Sequence, residues 1–510
     1  MLAITKTAAL AGIEGISVTV EVDISRGLPA FNIIGLGDTS VKEAADRVKS
    51  AILNTGFQYP RNRITVNLSP AWVHKKGSHY DLSIAVGILA AQGEIESKCT
   101  ENTAFIGELA LTGQVTGVKG ILPMIKGLYS QVKEIFISEE NSEEAYLITE
   151  KTDIKIVSVK NLKQVKDILS GKVPKSFFKA SKNVFRENIN KLDFADVKGH
   201  WAAKEAIVMS VAGGHNLLMI GAPGTGKTML AKRIPSILPK MTTEEQLETS
   251  MVYSLIGKLN ENYPLIDERP FRRLGLNATK TAIIGGGIEP LPGEISLADN
   301  GVLFIDEFLE FRRDQIELLR KPIEDGYVNI MRRGRMHTFP THFTLVGATN
   351  PCKCGYLGDD THKCTCTAVE IEKYRSRLSG PLCERIDMCI EINRVNYRAL
   401  TGDDSADSAN MREKVTRARE IQSERFINEG INLNSQMTEQ HVKEYCILGK
   451  KEKEFIKKAY NRYNISPRRY FKILRLARTA ADIAGDNNIE VCHIAAALGY
   501  TRFFNLYDKE

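Results

Sequence analysis

No run of eighteen apolar residues occurs anywhere in the 510-residue chain, so a membrane-spanning helix is not expected. The opening MLAITKTAALAGIEG has no basic stretch ahead of an apolar core, which argues against a secretory signal. Cysteine is sparse, nine residues in all, too few for a disulfide scaffold of this length. There is no internal repeat and no low-complexity tract. Hydrophobic residues at 43% and charged residues at 26% exclude wholesale disorder, collagen and coiled-coil rods. Excess charge is also small: Lys+Arg 69 against Asp+Glu 62 leaves +7, which neither requires nor excludes a nucleic-acid partner. At ~100–200 residues per domain the length predicts several domains. A soluble, cytoplasmic, multidomain protein is the expectation.

What charge there is lies unevenly. Residues 172–191, KVPKSFFKASKNVFRENINK, hold six basic residues and one acidic, with poor apolar periodicity. This stretch reads as a linker over 172–192, either a solvated tether or a nucleic-acid contact. An acidic break follows at 401–410, TGDDSADSAN. The first segment, 1–171, reads as mixed α/β. Ile16–Val22 and Ile64–Leu68 have strand character, Val41–Leu53 reads as a helix after the cap cluster Asp38-Thr39-Ser40, and Asp81–Ala91 as another.

The chemistry begins at Leu217–Ile220, a short apolar run that predicts a buried strand. It leads into Gly221-Ala222-Pro223-Gly224-Thr225-Gly226-Lys227-Thr228 and then a helical MLAKRIPSIL. G-x-x-x-x-G-K-T between strand and helix is a P-loop. Its glycines let successive backbone N–H groups face one phosphate, and the helix that follows adds its dipole. Lys227 is placed to reach the β- and γ-phosphates of ATP, and Thr228 to offer a hydroxyl to Mg²⁺. Further on, Gly301–Ile305 is an apolar strand ending in Asp306-Glu307. Either carboxylate alone would be an ordinary strand cap. Paired with a P-loop they read as a Walker B pair, with Asp306 on the Mg²⁺ side and Glu307 polarising the attacking water. A third strand, His342–Thr349, ends at Asn350, which is either a turn former or a polar group beside the γ-phosphate.

DFADVKGH (193–200), the P-loop, LPGEISLADNGVLFIDE (291–307), LRKPIEDG (319–326), GATNPCKCGYLGD (347–359) and YRSRLSGPLCERID (374–387) occur in this order. Together with the opening segment and ISPRRYFKILRLARTAADIAG near the end, they resemble the magnesium-chelatase-like AAA+ ATPases of the ComM (YifB) type, essentially end to end. The resemblance implies an α/β fold. An S5/Lon-like α+β N-terminal domain (1–171) and the basic linker would precede an AAA+ P-loop core (193–395) with a Cys-rich insert (351–367), and a helical lid (396–510) would follow. It makes Asn350 the sensor 1 residue, Arg385 the arginine acting on a neighbour's nucleotide with Arg377 as runner-up, and Arg468 sensor 2. Asp196, Val197 and Gly199 would flank the adenine. An arginine acting across subunits implies a ring, expected to be a homo-hexamer. The Lon likeness of 107–141 raises a Ser–Lys peptidase. The residues oppose it, because Ser78 and Lys119 sit in the wrong motifs and Leu122 falls where the lysine belongs.

Two further features stand out. Cys352, Cys354, Cys364 and Cys366 form a C-x-C…C-x-C cluster with His362 between the pairs, suited to a structural Zn²⁺, the alternative being a reduced surface loop. Cys99, Cys383, Cys389, Cys446 and Cys492 stand alone and read as buried apolar residues. The segment Gly326–Pro340 reads as a hairpin with Arg332, Arg333 and Arg335 at its tip. By resemblance it points into a central pore, where its arginines would meet DNA phosphates. A second insertion, Arg269–Ser296, looks like an additional pore loop. There the chain departs from the family, which usually reads A-P-H-H-T where Arg273-Leu274-Gly275-Leu276-Asn277 stands and has histidine at the position of Asp299. The function so implied is an ATP-driven motor on single-stranded or branched DNA, a branch-migration helicase aiding integration of transforming DNA. A metal-chelatase motor subunit and a protein remodeller are the alternatives.

Overall fold

Alternating apolar and polar residues over Leu2–Ala11 and Glu14–Ser25 build a long antiparallel hairpin. Its two-residue turn sets Gly12 at φ +65°, a conformation that glycine adopts without strain. The computed structural model describes residues 1–149, 152–177, 192–259, 265–332, 334–395 and 407–501, without the side chains of 146 and 147. In it this hairpin is the middle of a seven-stranded mixed sheet. The strand order is Ala30–Ile34, Arg63–Ser69, Glu14–Ser25, Leu2–Ala11, Thr103–Ile106, Glu134–Ser138, Lys155–Val159. The helix expected over Val41–Leu53 is present in two pieces, Thr39–Lys42 and Ala44–Asn54, and Asp38 caps the first through Val41 N–H at 3.0 Å. Helix Asp81–Ala91 is apolar all round and buried at every position, packed on the hairpin strands.

Helix Ile121–Leu128 crosses the hairpin very closely. A Cβ on Gly15 would lie 2.0 Å from Pro123 O, and one on Gly127 2.1 Å from Gly15 O, so this crossing requires glycine at both positions. The same helix packs on helix Thr243–Leu255, which follows the P-loop. One hydrophobic core therefore runs from Ala8, Ile106 and Met124 into Met251, Val252, Tyr253 and Leu297.

The second sheet has five strands, all parallel, in the order Phe271–Leu274, Val302–Ile305, Thr344–Thr349, Leu217–Ile220, Met388–Glu391. Its three central strands are buried along their whole length, as the short apolar runs predict. Beyond it the described chain is helical, in Ser408–Arg425, Glu439–Tyr445, Lys450–Tyr463, Pro467–Ala484 and Val491–Thr501. These helices share a core with helix Trp201–Gly213, which precedes the P-loop strand. Among the described residues no helix is long and apolar enough to cross a membrane.

Most of the basic linker (178–191) and most of the acidic break (401–406) lie outside the described residues. Two cysteine expectations fail. Cys492 is exposed and Cys99 half-buried, whereas Cys383, Cys389 and Cys446 are buried. On helix Val491–Thr501 the buried face is His493, Ile494, Ala497 and Thr501, which turns Cys492 to solvent.

Candidate nucleotide-hydrolysis site

In a parallel sheet all strands end on one edge, and ligands collect there. The strand order places Thr344–Thr349 between the P-loop strand and the strand carrying Asp306, with Ile220 opposite Thr349 and Ile305 opposite Gly347. Asn350 therefore emerges between the two motifs. Its Oδ1 lies 3.3 Å from Lys227 Nζ. The ammonium also donates to Gly221 O at 2.6 Å and Ala222 O at 2.9 Å. Burial pushes the Lys227 pKa down to about 8, while Asp306 and Glu307 pull it upward. A buried cation facing two carboxylates and a polar amide is ready-made for a phosphate.

The P-loop turns through Gly224 at φ +77° and Gly226 at φ +89°, which opens the helix Lys227–Ala231. Thr228 Oγ1 donates to Asp306 Oδ2 at 3.0 Å. A hydroxyl and a carboxylate oxygen at this spacing suit the hard, oxygen-seeking Mg²⁺. Glu307 is exposed and takes φ +51°, a left-handed conformation costly for a residue with a Cβ. The same Asp306 Oδ2 accepts Arg273 Nη2 at 2.9 Å, a contact not foreseen from the sequence. Nothing in the sequence names the strand that neighbours Val302–Ile305, and that adjacency alone delivers Arg273.

The boxes around the nucleotide fall as follows. Asp196 pairs with Arg233 at 3.1 Å, Val197 is fully buried, and Gly199 takes φ +67°. His200 stands beside the P-loop, its Nε2 3.4 Å from where a Cβ on Gly226 would lie. Arg377 is fastened just beyond Asp306 and Glu307 in the chain, donating to Leu309 O at 2.7 Å and pairing with Glu310 at 3.1 Å.

Arg385 and Arg468 are elsewhere. Asn216, just before strand Leu217–Ile220, donates its Nδ2 to Arg385 O at 2.8 Å and its N–H to Asp387 Oδ2 at 3.0 Å. Arg385 thus stands at the edge opposite the P-loop, a strand's length of about 13 Å away. Its guanidinium contacts Glu324, Pro381 O and Glu384. Arg468, in the first turn of helix Pro467–Ala484, pairs with the same Glu384 Oε2. The two arginines form one group around Glu384.

The four clustered cysteines converge. Cys352 Sγ lies 3.4 Å from Cys354 Sγ and 3.7 Å from Cys364 Sγ, with Cys354 and Cys364 3.5 Å apart. All four sulfurs lie within 4.8 Å of one another. These separations far exceed a disulfide's, and a tetrahedron with Zn–S of ~2.3 Å has S–S edges of ~3.8 Å. The backbone N–H groups of Tyr356 foremost, and of Thr365, hold the Cys354 thiol down to about 5. His362 is not in this set; it stacks on Tyr356 and meets Thr361 Oγ1 at 2.9 Å. The knuckle leans on the P-loop, since a Cβ on Gly355 would lie 2.8 Å from Pro223.

The basic hairpin pairs Tyr327–Arg332 with Arg335–Pro340 in antiparallel register. Arg332 is exposed and Arg335 half-buried, with Met331 and Met336 exposed beside them, and Arg333 lies outside the described residues. In the N-terminal sheet Ser78 Oγ donates to Glu108 Oε2 at 2.5 Å, and Lys119 packs on Gly257. The serine thus faces a carboxylate rather than a lysine.

Three matches to known families span most of the chain. Residues 193–400 match "Magnesium chelatase, subunit ChlI", residues 20–141 "Subunit ChlI of Mg-chelatase", and residues 405–501 "Magnesium chelatase, subunit ChlI C-terminal". The chain is 42% identical over 516 residues to Competence protein ComM of Haemophilus influenzae, covering 100% of this chain and 99% of that one. It is 37% identical over 504 residues to YifB of Escherichia coli, covering 98% and 97%. A stretch of 181 residues, 35% of this chain and 22% of the other, is 28% identical to a probable DNA helicase, MCM9, of Oryza sativa.

Proposed function

Since this chain belongs to the magnesium-chelatase-like AAA+ ATPases of the ComM/YifB type, we propose that it is a hexameric motor that hydrolyses ATP to move on DNA, as a branch-migration helicase would. The observation that carries the reading is the convergence of Lys227, Thr228, Asp306 and Asn350 on one sheet edge, with a basic hairpin built into the same unit. The P-loop residues 221–228 hold the phosphates. Thr228 and Asp306 would hold Mg²⁺, which would supply charge neutralisation at the transferring phosphate. Glu307 accepts the proton of the attacking water, and Asn350 orients the water or the γ-phosphate.

Arg385 acts on the nucleotide of an adjacent subunit, and Arg468 serves as sensor 2. The bond from Asn216 to the Arg385 carbonyl, at the strand end away from the P-loop, supports the first role. A hexameric ring then places Arg385 at a neighbour's γ-phosphate. Arg332, Arg333 and Arg335 line the channel and contact DNA phosphates, single-stranded or branched. Segment 1–171 is an S5/Lon-like platform without peptidase activity, 193–395 the ATPase core and 396–510 its lid. Cys352, Cys354, Cys364 and Cys366 would hold Zn²⁺, which would stiffen the loop that packs on Pro223. The protein works in the cytoplasm.

ComM is named for competence, which supports a role with transforming DNA, and the partial likeness to a probable DNA helicase points the same way. The family descriptions themselves name a magnesium chelatase subunit, which keeps a chelatase-type motor as the second reading. An ATPase assay with single-stranded, duplex and branched DNA, read beside native mass with and without nucleotide, separates them. Stimulation by DNA and a six-chain mass support the motor on DNA. A DNA-indifferent ATPase that responds only to chelatase partner subunits rejects it.

A further inference from the structure

Strand Phe271–Leu274 carries two consecutive arginines, and strand geometry sends consecutive side chains to opposite faces. Arg272 is held structurally by Glu294, in a bidentate pair at 2.7 and 2.8 Å. Arg273 turns the other way. With its partner strand in parallel register, Arg273 opposite Phe304 and Leu274 opposite Ile305, its guanidinium comes out beside the carboxylate just past that strand's end. Nη2 meets Asp306 Oδ2 at 2.9 Å, the oxygen that also accepts Thr228 Oγ1. Arg273 is 53% exposed, so packing does not force it there.

We infer that Arg273 is a tethered counter-ion of the Mg²⁺ position, competing with the metal for Asp306 and so gating nucleotide loading on Mg²⁺. The inference rests on reading this edge as a Mg²⁺·ATP site. Thr228 and Asp306 are the side chains that reading gives to the metal, and a divalent cation drawn to Asp306 Oδ2 would stand against a guanidinium already bound to the same oxygen. Two cations at one carboxylate oxygen repel strongly in a partly desolvated site. One must therefore leave for the other to bind. The arginine's long stem lets its head swing out without disturbing the strand. Without Mg²⁺, Arg273 neutralises a carboxylate that would otherwise repel the polyphosphate. With Mg²⁺, it is the group that must be displaced. Two effects of opposite sign follow from one side chain, and a merely structural residue does not produce that pattern.

The test measures binding of a fluorescent methylanthraniloyl-ATP to full-length wild type, Arg273→Ala and Arg273→Lys, once in EDTA and once in a MgCl₂ titration. In EDTA, Arg273→Ala should bind the probe more weakly. In the titration it should need less Mg²⁺ for half-maximal binding. Each shift is about two- to fivefold, because a half-exposed ion pair is worth no more than ~1 kcal/mol at 1.4 kcal/mol per tenfold. Arg273→Lys, which keeps the charge, should fall between wild type and alanine in both. Shifts of the same sign under both conditions, or no shift in either, overturn the inference. A wild type that binds no probe at any Mg²⁺ concentration overturns the ATP reading itself, a different result. Melting temperatures of the three proteins establish that the variants are folded, and the lysine variant decides the matter if alanine is not.

Discussion

Glu307→Gln should leave the fold and ATP binding unchanged and remove turnover. Glu307 is exposed, with its backbone in the left-handed region at φ +51°. Glutamine has the same shape and makes the same demand on the backbone, so stability should move by no more than ~0.5 kcal/mol. ATP should bind as well or slightly better, because one negative charge near the polyphosphate is gone. Hydrolysis loses the group that takes the proton of water. General-base catalysis is worth about 10²–10⁴ in rate, or about 3–5 kcal/mol of barrier. Glu307→Gly adds a second axis. A left-handed residue with a Cβ carries about 1–2 kcal/mol of strain, and glycine removes that while losing about 0.5–1 kcal/mol to chain entropy. The glycine variant should therefore be equally inactive yet more stable by up to about 1 kcal/mol, a rise of about 1–4 °C in melting temperature for a unit of this size. Phosphate release, methylanthraniloyl-ATP binding and nucleotide-free thermal melting measure the three quantities. Turnover of Glu307→Gln within a few-fold of wild type refutes the base assignment. A glycine variant melting at or below wild type refutes the strain argument while leaving the base assignment standing.

Other expectations are as direct. Arg385→Ala should bind ATP and hydrolyse it poorly, and mixed with Glu307→Gln protein it should regain part of the activity, since some interfaces then pair an intact arginine with an intact glutamate. Verified mixed rings that stay dead would move the role to Arg377. Protein purified reduced and without chelator should contain about one Zn²⁺ per chain, lost on Cys352→Ser with Cys364→Ser; metal analysis finding none rejects the site. Replacing Arg332, Arg333 and Arg335 with alanine should weaken binding to all DNA sequences alike and flatten its salt dependence, with basal ATPase retained. Unchanged DNA affinity in that variant would take the hairpin out of the mechanism.

The P-loop, the Asp306-Glu307 pair and the hairpin were legible because each is a contiguous stretch whose local pattern carries its own geometry. Strand, glycine turn and helix follow one another in residues 217–231 with nothing supplied from a distance. The same holds for the four cysteines, which fifteen consecutive residues bring together. What escaped depends on strand order. That Arg273 reaches Asp306 follows from two strands being neighbours, and that adjacency leaves no trace in the residues themselves. Glu384 went unnoticed for a related reason, because its importance comes from Arg468, which is distant in sequence. The exposure of Cys492 was missed because a cysteine was assigned by type rather than by its position on the helix face.

The close seat of helix Ile121–Leu128 on Gly15, and the core it shares with helix Thr243–Leu255, have a mechanical meaning. A joint made of interlocked side chains has no slack, because a packed interior transmits strain instead of absorbing it. Leu297, two residues before Asp299 and shortly ahead of the strand that bears Asp306, belongs to that joint. Displacing that strand would therefore press directly on the N-terminal sheet. The two glycines set how closely the helix sits on the hairpin. A single added methyl group at Gly15 would push the helix off at Pro123 and open this joint without touching Lys227, Thr228, Asp306 or Asn350.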